Sequence, residues 1–171
     1  MNAQLLIIEI LVIGCGLALL LVDLWTATPR KHQLGYAAAA ALGAILIGSF
    51  FWSPVTPEFA FGDTYVIDSL ALFFKRFFLV AAILVLIMSV DFADRLPVGI
   101  SEYYALILFA LAGMLFASSS NDLIMVFVSL ELITVTFYVL TSFQHSHVKS
   151  LEAGAKYLIL GALSTGFTVF G

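Results

Sequence analysis

Glu131 lies in the middle of Asn121–Phe143, NDLIMVFVSLELITVTFYVLTSF. At about 1.5 Å per residue this apolar run is long enough to cross a hydrocarbon core of roughly 30 Å. A carboxyl group at that depth costs a few kcal/mol unless it faces other helices or water, which makes it a candidate for taking up and releasing a proton. Thr134 and Tyr138, three and seven positions further on, share its helical face and offer hydroxyls to extend a proton path through water. The other reading of Glu131 is a protonated packing residue hydrogen-bonded to a neighbouring helix.

Further titratable groups fall at informative positions. Glu152 and Lys156 are four apart in the favourable Glu-to-Lys order. Lys156 is therefore either half of an ion pair at the start of a helix or a second titratable group within reach of the bundle interior. Asp68 and Lys75 are seven apart and bracket a polar patch or form an interfacial charge cluster with Arg76. Glu9 sits about two turns into the first apolar run and either snorkels or faces inward, whereas Asp23, beside Trp25, is expected at the interface. His145 and His147 lack a third ligand nearby and read as solvated loop residues rather than a metal site. Cys15, the one cysteine, lies in an apolar run and reads as packing.

The elements that carry these groups follow from composition. With 63% hydrophobic and 11% charged residues the chain is far more apolar than soluble domains, and an all-α integral membrane protein is expected. Six transmembrane helices are predicted. The first covers about residues 3–25 and lacks the basic start and cleavage site of a signal peptide. The second covers about 34–52, and the third about 65–90, where the uncharged remainder 77–90 is too short to span alone. The fourth covers about 102–119, entered by Tyr103 and Tyr104 as an aromatic anchor. The fifth carries Glu131, and the sixth starts near Leu151.

Small residues at Gly14 and Ala18, and at Gly35, Ala39 and Gly43, mark expected packing seams. Residues 53–63 hold two prolines and no Lys or Arg and read as an extramembrane loop. Ser118–Asp122 forms a tight turn supplying N-cap candidates for the fifth helix, which makes helices four and five antiparallel neighbours.

If all six runs span, Arg30, Lys31, Arg95 and Lys149 share one side, and the opposite loops and the N-terminus carry no basic residue. The positive-inside rule then puts those four in the cytoplasm and the N-terminus outside. The sequence has no Gly-rich nucleotide loop, no cysteine set for an iron–sulfur cluster, no paired helical histidines for haem and no basic nucleic-acid footprint. No cofactor, metal or nucleic acid is expected on it.

The run from Glu102 to Leu140 containing Ser129-Leu130-Glu131-Leu132, followed by Ser150-Leu151-Glu152-Ala153-Gly154-x-Lys156-Tyr157, closely resembles the antiporter-like subunits of respiratory complex I, the bacterial proton-pumping NADH-quinone oxidoreductase. Phe61–Phe77, FGDTYVIDSLALFFKRF, is similar to the third-helix segment of the same family. The resemblance implies a larger fold of inverted helix repeats, each forming a half-channel. Residues 1–100 would hold three N-terminal helices, and residues 101–171 the first three helices of the first repeat.

In that family Glu131 matches a glutamate on the fifth helix whose partner is a lysine on a broken helix further along. Lys156 matches a lysine at the start of the sixth. The implied function is proton translocation driven by quinone reduction elsewhere in the complex, with NADH, FMN, iron–sulfur clusters and quinone handled by other subunits. The implied partners are the other membrane subunits, neighbouring antiporter-like subunits included. Two alternatives stand beside it: a subunit of a related cation/proton antiporter or membrane-bound hydrogenase, and a passive membrane scaffold. Gly171 follows the sixth run without a flanking charge or aromatic anchor, so a longer protein is expected.

Overall fold

The structure, a computed structural model, describes residues 3–25, 31–51, 56–93, 99–144 and 147–170. Six α-helices carry it: α1 (Ile7–Asp23), α2 (Lys31–Phe50), α3 (Ser69–Ala93), α4 (Ile100–Ser118), α5 (Leu123–Thr141) and α6 (Val148–Phe170). Runs this apolar satisfy their backbone groups internally by coiling, the one option open to a lone segment in lipid. α2 to α6 are each long and apolar enough to cross a membrane. α1 has 17 residues and follows a 3-10 turn at Ala3–Leu6. Together the two reach about 33 Å, a full hydrocarbon thickness.

α4 is the hub: it packs on α1, α2, α3 and α5, while α6 rests on α5. The core is aliphatic, with Val12, Leu42, Leu79, Leu86, Leu108 and Leu115 fully buried. Between α2 and α3 the expected loop contains a short antiparallel hairpin, β1 (Glu58–Ala60) and β2 (Tyr65–Ile67), so the third helix begins at Ser69 rather than near Tyr65. The hairpin turns through three left-handed residues, Phe61, Gly62 and Asp63. The α4–α5 turn continues this sheet edge. Val66 N–H donates to Ser119 O at 2.9 Å, and Asn121 N–H to Thr64 O at 2.9 Å.

Two packing expectations change. The α1 seam uses Gly16, where an added Cβ would lie 3.1 Å from a Phe109 ring carbon, whereas Gly14 has nothing within 4 Å. On α2, Gly35 and Ala39 are buried, but Gly43 has open space beside it. Tyr104 is fully buried against Gly35 instead of anchoring at the headgroups, and Tyr103 packs edge-on against Phe143. Pro29, Arg30, Arg95 and His145 lie outside the described residues.

Candidate functional site

α5 is built to hold a carboxyl at its centre. Glu131 is the ninth of its 19 residues, about 12 Å from the first. The helix satisfies its serine and threonine hydroxyls locally: Ser129, Thr136 and Thr141 donate to carbonyls four residues back, and Thr134 donates to the Glu131 carbonyl at 3.1 Å. The Glu131 carboxyl is half-buried and bonds outside its own helix. Thr165 Oγ1, on α6, donates to Glu131 Oε1 at 2.6 Å.

A groove of about 460 Å³ runs between α5 and α6, lined by Glu131, Thr134, Tyr138, Tyr157, Ser164 and Thr165 among others. Small residues on α6 make room for it. Tyr138 stacks edge-on against Tyr157 at 5.0 Å and pushes its hydroxyl against Gly161, where any Cβ would collide. Glu131, Thr134 and Tyr138 thus share one groove, as their spacing predicts. Thr165 was not singled out in the sequence, because a threonine in a Ser/Thr/Gly-rich apolar helix carries no signal of its own.

Lys156 is not brought to Glu131. It is exposed and pairs with Glu152, also exposed, one turn earlier. It sits nine residues from Thr165, about 13 Å along the helix. The geometry therefore shows the ion pair and leaves Lys156 outside the groove.

A second cluster combines residues that the sequence treated separately. Glu9 and Lys75 are both fully buried and form an ion pair at 2.6 Å. Glu9 therefore faces inward, and Lys75 pairs with α1 rather than bracketing a patch with Asp68. Asp68 instead caps α3, its Oδ1 accepting from Ala71 N–H at 2.7 Å. Tyr65 from β2 completes the cluster: its hydroxyl accepts from Lys75 Nζ at 2.7 Å and reaches Glu9 Oε1 at 2.9 Å. Burial, and next the Glu9 charge, push the Tyr65 phenol above its ordinary value, so it remains a neutral donor at physiological pH. Asp23 accepts from Ser101 Oγ at 2.6 Å and so ties α1 to α4.

The family model for the transmembrane part of NADH:quinone oxidoreductase and Mrp antiporter proteins matches residues 120–171, which contain α5 and α6. NADH-quinone oxidoreductase subunit N of Heliobacterium modesticaldum is 38% identical over 172 residues, covering 100% of this chain and 36% of that protein. Subunit N of Moorella thermoacetica is 38% identical over 170 residues, covering 99% of this chain and 35% of its own length. The chain thus spans about a third of the length of the curated relatives it matches. Among solved structures, respiratory complex I from Thermus thermophilus with bound aureothin matches with a TM-score of 0.72 at 25% identity, over 96% of this chain and 35% of the matched chain.

Proposed function

We propose that this chain, an integral membrane protein of the NADH-quinone oxidoreductase subunit N family, relays protons across the membrane as a non-redox part of that complex. The observation that carries the reading is Glu131: a carboxyl in mid-helix, in a groove that hydroxyl side chains help to line, with Thr165 Oγ1 at 2.6 Å. A threonine hydroxyl donates to the carboxylate and, after rotation, accepts from the protonated acid, so Glu131 keeps a partner in both states. Thr134 and Tyr138 line the path for water, while Lys156, exposed and ion-paired with Glu152 outside the groove, has only a subsidiary part at the start of α6. The lysine that completes a coupled pair with Glu131 is expected in a part of the fold that the longer relatives carry; each partner's charge then sets the other's proton affinity.

NADH, FMN, iron–sulfur clusters and quinone belong, on this reading, to other subunits, and quinone reduction there drives the relay. The partners are the other membrane subunits of the complex, including neighbouring antiporter-like ones. The setting is a bacterial inner membrane with the N-terminus in the periplasm. We further divide the chain at about residue 100, into three leading helices and the opening of a first antiporter-like repeat. The matching family model names Mrp antiporters as well, but relatives named subunit N match over the whole chain, which favours the quinone reductase.

The test is Glu131→Gln, which keeps shape and hydrogen bonding but removes the exchangeable proton. The variant should assemble normally and lose most of its pumped protons per electron, measured in sealed vesicles, while Glu131→Asp retains part of them. Wild-type pumping by assembled Glu131→Gln would return Glu131 to a packing role and favour the scaffold reading.

A further inference from the structure

The relay through Glu131 makes no use of the most deeply buried charges among the described residues. Glu9 and Lys75 have no exposed side-chain surface, and a pair taken fully out of water persists only if hydrogen bonds complete its surroundings. They do so on one side alone. Glu9 Oε1 takes Lys75 Nζ at 2.6 Å and Tyr65 Oη at 2.9 Å, while Oε2 of the same carboxyl is buried with no hydrogen-bond partner. A buried carboxylate oxygen without a donor is unfavourable, and a water that donates to it, or a proton on it whose O–H that water then accepts, removes the defect.

The hydrogen-bonding groups around the carboxyl serve both protonation states, and the cost of leaving Lys75 without its counter-charge makes the neutral state the transient one. Tyr65 has one hydroxyl proton and two acceptors in reach, Glu9 Oε1 at 2.9 Å and the Leu5 carbonyl at 3.2 Å. When Glu9 is a carboxylate the phenol donates to it; when Glu9 is neutral the phenol turns to Leu5, and Lys75 Nζ still donates to Tyr65 Oη at 2.7 Å. The titratable groups that face one another are Glu9 from α1, Tyr65 from β2 and Lys75 from α3, with the uncharged Ser119 of the α4–α5 turn beside the phenol. The cluster lies beneath the hairpin: Lys75 is the seventh residue of α3, about 9 Å from its start, so a proton has a short way to travel from the water-facing end.

We propose that Glu9 is a second proton-exchanging carboxyl of this chain, taking its proton on Oε2 with Lys75 as buried counter-charge and Tyr65 as the switching hydroxyl. Water delivers and recovers the proton, and the only bond that forms or breaks is O–H. The cluster is joined to the head of α5 through β2, which is hydrogen-bonded to the turn that starts the Glu131 helix.

This inference rests on the proton-translocating function but not on Glu131, and the experiment separates the two. In the full-length subunit within the assembled complex, the double variant Glu9→Gln with Lys75→Met removes both charges while keeping volume. It should assemble yet lose a large share of pumped protons per electron in sealed vesicles. Tyr65→Phe keeps the ion pair and the ring and removes only the hydroxyl; it should assemble fully and also pump less. Wild-type pumping in the assembled double variant would mean that the pair is a static clasp and overturn the proposal. Should the double variant not assemble, Tyr65→Phe decides alone, and wild-type pumping there overturns it equally. Glu131→Gln in the same vesicles reports on the other carboxyl independently.

Discussion

At the scale of residues, the partner of Glu131 matters as much as its depth. A hydrogen bond to a charged group contributes about 1.5–3 kcal/mol, and for a half-buried carboxyl the lower end applies. Thr165→Val, of the same shape without the hydroxyl, should therefore slow proton transfer roughly tenfold with assembly intact. Lys156→Met should have a smaller effect, because Lys156 is exposed and paired with Glu152 away from the groove. Pumping rates of the two variants in vesicles check this, and the reverse order would shift the proton-carrying role to Lys156. Glu131 was legible in the sequence because a carboxyl in a long apolar run is conspicuous by position alone. Thr165 was not, since hydroxyls in such helices usually bond their own backbone. The Glu9–Lys75 pair was not either: its members are 66 positions apart, and helical spacing says nothing about which helices meet.

At the scale of elements, the helices were readable because membrane spans need length and apolarity and little else. The hairpin was missed because its strands are three residues each, too short for an alternating pattern, and are held partly by the α4–α5 turn. Packing seams were half readable. A small residue permits close approach, but the neighbour decides whether approach occurs, and Gly16 and Gly35 have one while Gly14 and Gly43 do not. Gly35→Ala should consequently be costly: its Cβ would fall 2.7 Å from Tyr104 Cζ and 2.8 Å from Val90 Cγ2. Overpacking of that kind destabilises by about 1–3 kcal/mol. Gly43→Ala should leave stability unchanged or slightly raised. Thermal loss of the folded protein in detergent compares the two, and equal behaviour would contradict the α2–α4 contact.

For the molecule as a whole, burial is lopsided: 61% of the α4 span is buried but only 11% of α5 and 6% of α6. The helices bearing the proposed relay thus present most of their surface outward, a surface available to further helices of the kind the longer relatives carry. Which way the relay runs depends on orientation, set by the bias of basic residues and not by packing. Lys31 and Lys149 stand at the starts of α2 and α6, on the side opposite the hairpin and the α4–α5 turn, and Arg30 and Arg95 fall in adjoining stretches of the sequence. In a background with Cys15 replaced by alanine, single cysteines at positions 31 and 148 should react with a membrane-impermeant thiol reagent only from the cytoplasmic side. A cysteine at position 58, on β1, should react only from outside. Glu9 and its hairpin then face the periplasm, and Glu131 lies midway along a helix descending to the cytoplasm. Labelling of all three positions from one side would break the six-span path, and with it the placement of Glu131 at mid-membrane on which the relay depends.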